Sequence, residues 1–294
     1  MTLEQRVAVL EEIFAKLQDY YTSAYSGEEI DALLGKAGSS VQMACNPNLM
    51  DNWYFGNPVN QRGLASYTGV GYTIDRWQTF VKGTVSLRDG YINLADTKDF
   101  GQQIELSRID VKSPVTFSIL TDTGLVWATH KFSGTVNDIW YTDLGNGVTL
   151  NMIYSWDGRT ILVALQTGGA NIRAVKLELG DRQTLAHKDA SGNWVLNEIP
   201  DYGEQLRRCQ RYVVKLSGKY WIPTNPDNVG RINIPLPVTM RTKPAVTFST
   251  ENSAGSNNNV QLDTLLNDEA QIQFFTTSNA GWVNVYNIFC SADL

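Results

Sequence analysis

Trp127, Trp140, Tyr141, Tyr154 and Trp156 fall in one short stretch of the chain, interleaved with Asp138, Asp143, Asn146, Asn151 and Asp157. A saccharide shows apolar C–H faces alternating with hydroxyls. Sites for it therefore combine an aromatic ring with carboxylate and amide side chains that fork onto neighbouring hydroxyls. The segment Val136 to Gly147 reads as a loop where such a platform would reach water. This selects Trp140, Tyr141, Asp143, Asn146 and Trp156 as candidate ligand contacts. A second group, Tyr220, Trp221 and Asn225 with Asp227 and Asn228, reads as a turn of exposed-type residues, and Trp282 follows an Asn-Ala-Gly turn. Each aromatic in the first group has a competing role as a core or cross-strand filler. The second group could equally line a groove or a subunit interface, which aromatic residues also favour.

Covalent and metal chemistry find less support. His130 and His187 are the only histidines, and neither sits in a metal-ligand pattern or beside a nucleophile motif. No HExxH, GxSxG, GxxxxGK[ST] or GxGxxG occurs. Cys45, Cys209 and Cys290 are odd in number and lack CxxC spacing, so they read as buried thiols. A glycosidase needs two carboxylates about 5–9.5 Å apart, and among 30 acidic residues no pair stands out. The chain is expected not to be an enzyme, and no cofactor is implied. Asn48, Asp51 and Asn52 offer oxygens to a structural calcium ion, without an Asp-x-Asp-x-Asp-Gly loop. Asp75-Arg76-Trp77 reads as a buried acid–base pair beside an indole that fixes the start of a sandwich.

The elements that must carry these residues are mainly strands. From 71 to 180 short alternating runs read as strands, among them Tyr72–Arg76, Tyr91–Leu94, Gln103–Leu106, Thr160–Gln166 and Ile172–Leu179. They are separated by turn signals at Asp89-Gly90, Asp122-Thr123-Gly124, Gly145-Asn146-Gly147 and Asp157-Gly158. About nine strands without intervening helices predict an antiparallel two-sheet sandwich, most simply a jelly roll. Asp201 to Arg211 reads as one helix with Leu206 and Cys209 inward, and a second β-region runs from Tyr212 to the end. The expected fold is mainly β: a short N-terminal helical coiled coil over residues 1–40, a jelly-roll β-sandwich over 41–200, and a connecting helix plus a second β-sandwich over 201–294.

Leu3, Val7, Leu10, Phe14, Leu17 and Tyr21 are spaced alternately by four and three, the 3.5-residue period of a supercoiled seam. A helix this short is marginal alone, so the seam predicts an oligomer of more than two strands, the alternative being a single amphipathic helix folded back on its own domain. Ser26 and Glu29 form a capping box for a second short helix that Gly35 ends. The chain has 294 residues, 43% hydrophobic and 18% charged, with a net charge of −6. That balance argues against nucleic acid, and the longest basic cluster is Arg207-Arg208. No apolar run reaches the length of a membrane span, and the acidic start is not a signal peptide.

The stretch Asn46-Pro-Asn-Leu-Met-Asp-Asn-Trp-Tyr-Phe-Gly-Asn-Pro-Val-Asn-Gln-Arg-Gly63 resembles the opening of the jelly-roll domain in phage and prophage tail fibre proteins. Tyr72-Thr-Ile-Asp-Arg-Trp77, Ala174-Val-Lys-Leu-Glu-Leu-Gly180, Trp194-Val-Leu-Asn197 and the helix Leu206-Arg-Arg-Cys-Gln-Arg-Tyr212 are similar to further parts of such fibres, as is Tyr25 to Leu34 to their trimerising helix. The resemblance implies a homotrimeric receptor-binding component of a virion tail or tail-like particle. Such a component is assembled in the host cytoplasm, contacts other tail proteins, and binds bacterial cell-surface glycan. A structural tail adaptor without glycan binding and a surface-polysaccharide hydrolase are the alternatives. The likeness is weakest from about residue 213 onward.

Overall fold

The computed structural model describes residues 45–293 except 110–112, 155–157, 224–229, 253–259, 264–268 and 277–281. The heptad seam, the second helix, Trp156 and Asn225 lie outside the described residues. What is described is mainly β, in several antiparallel sheets with one α-helix.

The largest sheet is organised by its longest strand. Its elements are β1 (Ser66–Thr68), β2 (Gly71–Tyr72), β3 (Gln78–Arg88), β4 (Tyr91–Glu105), β5 (Val115–Thr121), β6 (Gly124–His130), β7 (Asp138–Gly145), β8 (Val148–Tyr154) and β9 (Thr160–Leu179). On one side β9 pairs with β4. On the other, residues 161–167 pair with β8 and residues 172–179 with β5. The break between those partners falls at Gly168-Gly169. At the same level β4 is bulged between Thr97 and Phe100, and β3 between Thr79 and Thr84. Asp96 and Asp99 in β4 have φ of 43° and 59°, and Gly83 has φ of 150°. Aligned bulges bend a sheet. Here the bend lets Phe117 and Ile119 of β5 and Val148, Leu150 and Met152 of β8 share one core with Trp77, Phe100 and Leu165.

These bulges explain where the sequence reading goes wrong. Tyr91–Leu94 and Gln103–Leu106 were expected as two strands, as were Thr160–Gln166 and Ile172–Leu179. Each pair is one bent strand, because polar and glycine residues that mimic turns instead make bulges. Val136–Gly147, expected as a loop, contains β7. Tyr72–Arg76, expected as a strand, turns sharply after β2, with Thr73 N–H bonded to the Trp77 carbonyl at 2.8 Å.

Beyond Ile172 the edge of β9 vacated by β4 is taken by residues 49–55. Leu49 N–H donates to Leu177 O at 2.8 Å, Val175 N–H to Trp53 O at 3.1 Å, and Phe55 N–H to Arg173 O at 2.8 Å. The same segment carries Asp51, which is buried against three guanidinium groups. Arg76 Nε lies 3.3 Å, Arg108 Nη1 3.1 Å and Arg208 Nη2 3.0 Å from its carboxylate. Burial alone would raise this carboxyl, but the three arginines outweigh it and hold it below the ordinary range. Arg76, at φ 72°, also stacks 3.5 Å over the Tyr212 ring. Asp75, Arg76 and Trp77 are all buried as expected, but the acid–base pair is not the expected one. Arg76 meets Asp51, whereas Asp75 accepts from Gln61 and lies 3.6 Å from Arg62 Nη1. Trp77 stacks on Phe100 at 4.8 Å and donates its indole N–H to Asn52 O at 2.9 Å. The calcium candidates need correction. Arginines surround Asp51, Asn48 Oδ1 accepts from the N–H groups of Met50 and Leu177, and Asn52 Oδ1 accepts from that of Val59.

A hairpin, β10 (Ala186–Lys188) with β11 (Trp194–Leu196), follows β9. Helix α1 (Tyr202–Gln210) starts at Asp201, whose side chain accepts from Glu204 N–H at 2.8 Å. Cys209 is buried as expected. Gln205 rather than Leu206 is its buried companion, because Gln205 Oε1 accepts from Asn52 N–H at 2.8 Å. The C-terminal strands are β12 (Val213–Leu216), β13 (Tyr220–Pro223), β14 (Gly230–Pro235), β15 (Ala245–Asn252), β16 (Val260–Leu262), β17 (Gln271–Thr276) and β18 (Trp282–Ser291). They form one sheet around β18 and another around β17, enclosing Val214, Ile222, Ile234, Ile272, Phe274, Val285 and Ile288. Tyr220 and Trp221, expected in a turn, lie in β13.

Candidate functional site

Among the described residues the expected contacts do not converge. Along β7 the side chains alternate between faces. Trp140 is half-buried, packed on the core and stacked on His130 at 4.7 Å, so it fills the gap between the edges of β6 and β7. Burial there lowers the His130 pKa and favours the neutral ring, although Asp138 opposes the shift. Tyr141 faces outward, 62% exposed and opposite Asn151. Asp143 accepts from Gly145 N–H at 2.8 Å and shapes the turn into β8. Trp221 is exposed on the C-terminal sheet and Tyr220 packs on that sheet's core. Asn146, at φ 54°, is different: its amide reaches Thr121 Oγ1 at 3.3 Å, on the rim of a cleft.

That cleft, about 410 Å³, is lined by Tyr91, Leu120 to Gly124, Asn171, Arg173 and Gly192 to Trp194. It falls in the size range of small-ligand clefts, about 300–1,000 Å³. Its polar groups are held in place by strand register. Asn171 of β9 pairs with Asn93 of β4. Its side-chain oxygen accepts from Asn93 Nδ2 at 2.8 Å, while its Nδ2 donates to Asp122 Oδ2 at 2.8 Å. The β5–β6 turn is tied to the same residue by Asp122 N–H to Asn171 O at 3.2 Å. Asp122 Oδ1 has no hydrogen-bond partner among the described residues and is available as an acceptor.

Trp194 supplies the ring. The β10–β11 turn that delivers it is closed by Asp189, which accepts from Ser191 N–H at 2.9 Å and Asn193 N–H at 2.8 Å. Those backbone donors, Asn193 first, lower the Asp189 pKa. Trp194 is half-buried and packed on the core, which supports its ring as a platform. Gly124, at φ 134°, lies beside it: a Cβ there would be in ordinary van der Waals contact with the indole, 3.4 Å from its nitrogen. Lys188 Nζ sits 5.3 Å from the centre of the Trp194 ring. Ring, carboxylate, amides and guanidinium thus face one space, which is the combination that grips a sugar ring and its hydroxyls.

Sequence reading missed Tyr91, Asp122, Asn171, Arg173, Asn193 and Trp194 as a set. The turn at Asp122-Thr123-Gly124 is legible, but these residues meet only because β9 lies between β4 and β5. A second cleft of about 470 Å³, lined by Glu105, Ser107, Arg159, Thr160, Arg241 and Asp293, lacks an aromatic ring and has carboxylates engaged by Arg241 and Arg62. Among the described residues no group of three or more His, Cys, Asp or Glu side chains could hold a metal ion. No helix among them is long and apolar enough to cross a membrane. The chain matches no protein-family model, no curated protein sequence and no solved structure.

Proposed function

We propose that the chain is a homotrimeric receptor-binding tail fibre of a phage or prophage, and that it attaches to bacterial surface glycan through the Trp194 cleft of a jelly-roll β-sandwich. The observation that carries this reading is the cleft: a half-buried indole packed on the core beside Asp122, Asn171, Arg173 and Asn193. The bent antiparallel sheet enclosing one core is consistent with a jelly roll, and the two C-terminal sheets with a second sandwich. Single sugar sites are weak, and three linked copies on a heptad stalk would raise avidity by about 10²-fold or more. Other tail proteins are the expected partners of the remaining surface.

The test is adsorption of the full-length chain to purified bacterial cell walls and capsular polysaccharides. Binding that Trp194→Ala abolishes, with the melting curve retained, is expected. Failure to bind any of these polymers would favour a structural adaptor, and release of soluble sugar would favour a hydrolase.

A further inference from the structure

The cleft holds a guanidinium without an ion-pair partner, which a neutral sugar would leave unused. Asp122 and Arg173 line it, and Lys188 and Asp189 flank Trp194 on the hairpin. The two carboxylates are committed to uncharged donors: Asp122 to the Asn171 amide, and Asp189 to the N–H groups of its own turn. Neither meets a cation within ion-pair distance. Arg173 and Lys188, both exposed, likewise have no salt bridge or side-chain hydrogen bond among the described residues. Arg173 and Lys188 are matched in number by Asp122 and Asp189, so the cleft has no net positive charge, but both cations border the indole without an ion-pair partner and each is placed to take an anion directly. Arg173 is also the residue suited to the task. Its planar fork donates two parallel hydrogen bonds to a carboxylate or phosphate, and such charge-assisted bonds are about twice as strong as neutral ones.

We infer that the Trp194 cleft selects a glycan bearing an anionic group, a uronic-acid carboxylate or a phosphate ester, with Arg173 as the anion clamp, Lys188 as a supporting charge and Trp194 as the ring platform. This rests on the glycan reading above and adds the chemical class of the ligand. Asp122 Oδ1 and the Asn193 amide are left to take hydroxyls of the same or an adjoining ring. Charge thereby sets which polymer is held, and stacking sets that it is a sugar.

The experiment is an array of bacterial surface polysaccharides, neutral and acidic, probed with the full-length wild type, Arg173→Gln, Lys188→Gln and Trp194→Ala. Acidic polymers are expected to be bound at least tenfold more tightly than neutral ones, with the preference shrinking as salt rises toward about 1 M, where the screening length is about 3 Å. Arg173→Gln should remove the preference and keep the wild-type melting curve, since the side chain is exposed. Carboxyl reduction of a bound polymer abolishes binding if the anion is a uronate, and dephosphorylation does so if it is a phosphate. Binding confined to neutral polymers and lost in Trp194→Ala would overturn the anion assignment while leaving the glycan site intact. Acidic binding equal in wild type and Arg173→Gln would overturn it too. Binding that Trp194→Ala leaves unchanged, or no binding to any polymer, would overturn the site itself.

Discussion

Replacing Asp51 with Asn keeps the shape of the side chain and removes the one negative charge that three arginines share. Arg76 is 1% exposed and loses its counter-ion in a place water does not reach, whereas Arg108 and Arg208 are 24% and 31% exposed and recover part of their hydration. Leaving a buried charge unpaired costs about 3–5 kcal/mol. With two of the three arginines partly solvated, the low end applies, about 3 kcal/mol. The backbone contacts of Asp51 to Gln102 survive the change: Asp51 N–H to Gln102 Oε1 and Gln102 Nε2 to Asp51 O, both at 2.9 Å. The loss therefore reports charge rather than chain geometry. Equilibrium urea unfolding at pH 7, followed by tryptophan fluorescence, measures it as a lower midpoint at constant m. The pH dependence adds a second signature. Because the folded-state pKa of Asp51 lies below its unfolded value of about 3.9, its contribution is complete above that pH and disappears as pH falls through the folded value. The variant should lose this part of the acid limb. A destabilisation under about 1 kcal/mol with an unchanged acid limb would refute the role of the buried Asp51–arginine cluster in holding residues 49–55 against the largest sheet and α1.

Asp75 titrates in the opposite sense. Burial pushes its carboxyl up to about 6, against bonds from Gln61 and the charge of Arg62. Its folded state binds the proton more tightly, so stability should rise as pH falls from 7.5 toward 4.5, by on the order of 3 kcal/mol at most for a shift of about two pH units. Urea midpoints at both pH values check this, and Asp75→Asn should flatten the trend; a midpoint that decreases as the pH is lowered from 7.5 to 4.5 would contradict it. Leu10→Asp with Leu17→Asp places unpaired charge in the heptad seam, and light scattering should then show a smaller assembly than wild type. An unchanged mass would assign oligomerisation to the β-domains alone.

How far the sequence reveals this molecule follows from the range of the interactions involved. Alternation and turn chemistry announce strands, and Asp201 announces α1, because both act over a few residues. Asp96, Asp99 and Gly168-Gly169 look like turns, yet they lie inside long strands as bulges, a distinction that only the neighbouring strand's register makes. The aromatic cluster around Trp140 is legible as a cluster, but face alternation in β7 sends Trp140 inward and Tyr141 outward, so proximity in sequence does not make a site. Among the described residues, Asn146 is the one expected contact that bonds to a residue lining the cleft, Thr121. The cleft's other groups are assembled by pairing between β4, β9 and β5 and by a hairpin that local patterns do not place.

The most direct test of the account is a crystal structure of the full-length chain bound to an oligosaccharide from a polymer it adsorbs. A sugar ring stacked on Trp194, with its hydroxyls at Asp122 and Asn193 and its anionic group at Arg173, is the predicted result. A ring seated on Tyr141 or Trp221, with the Trp194 cleft empty, would contradict it.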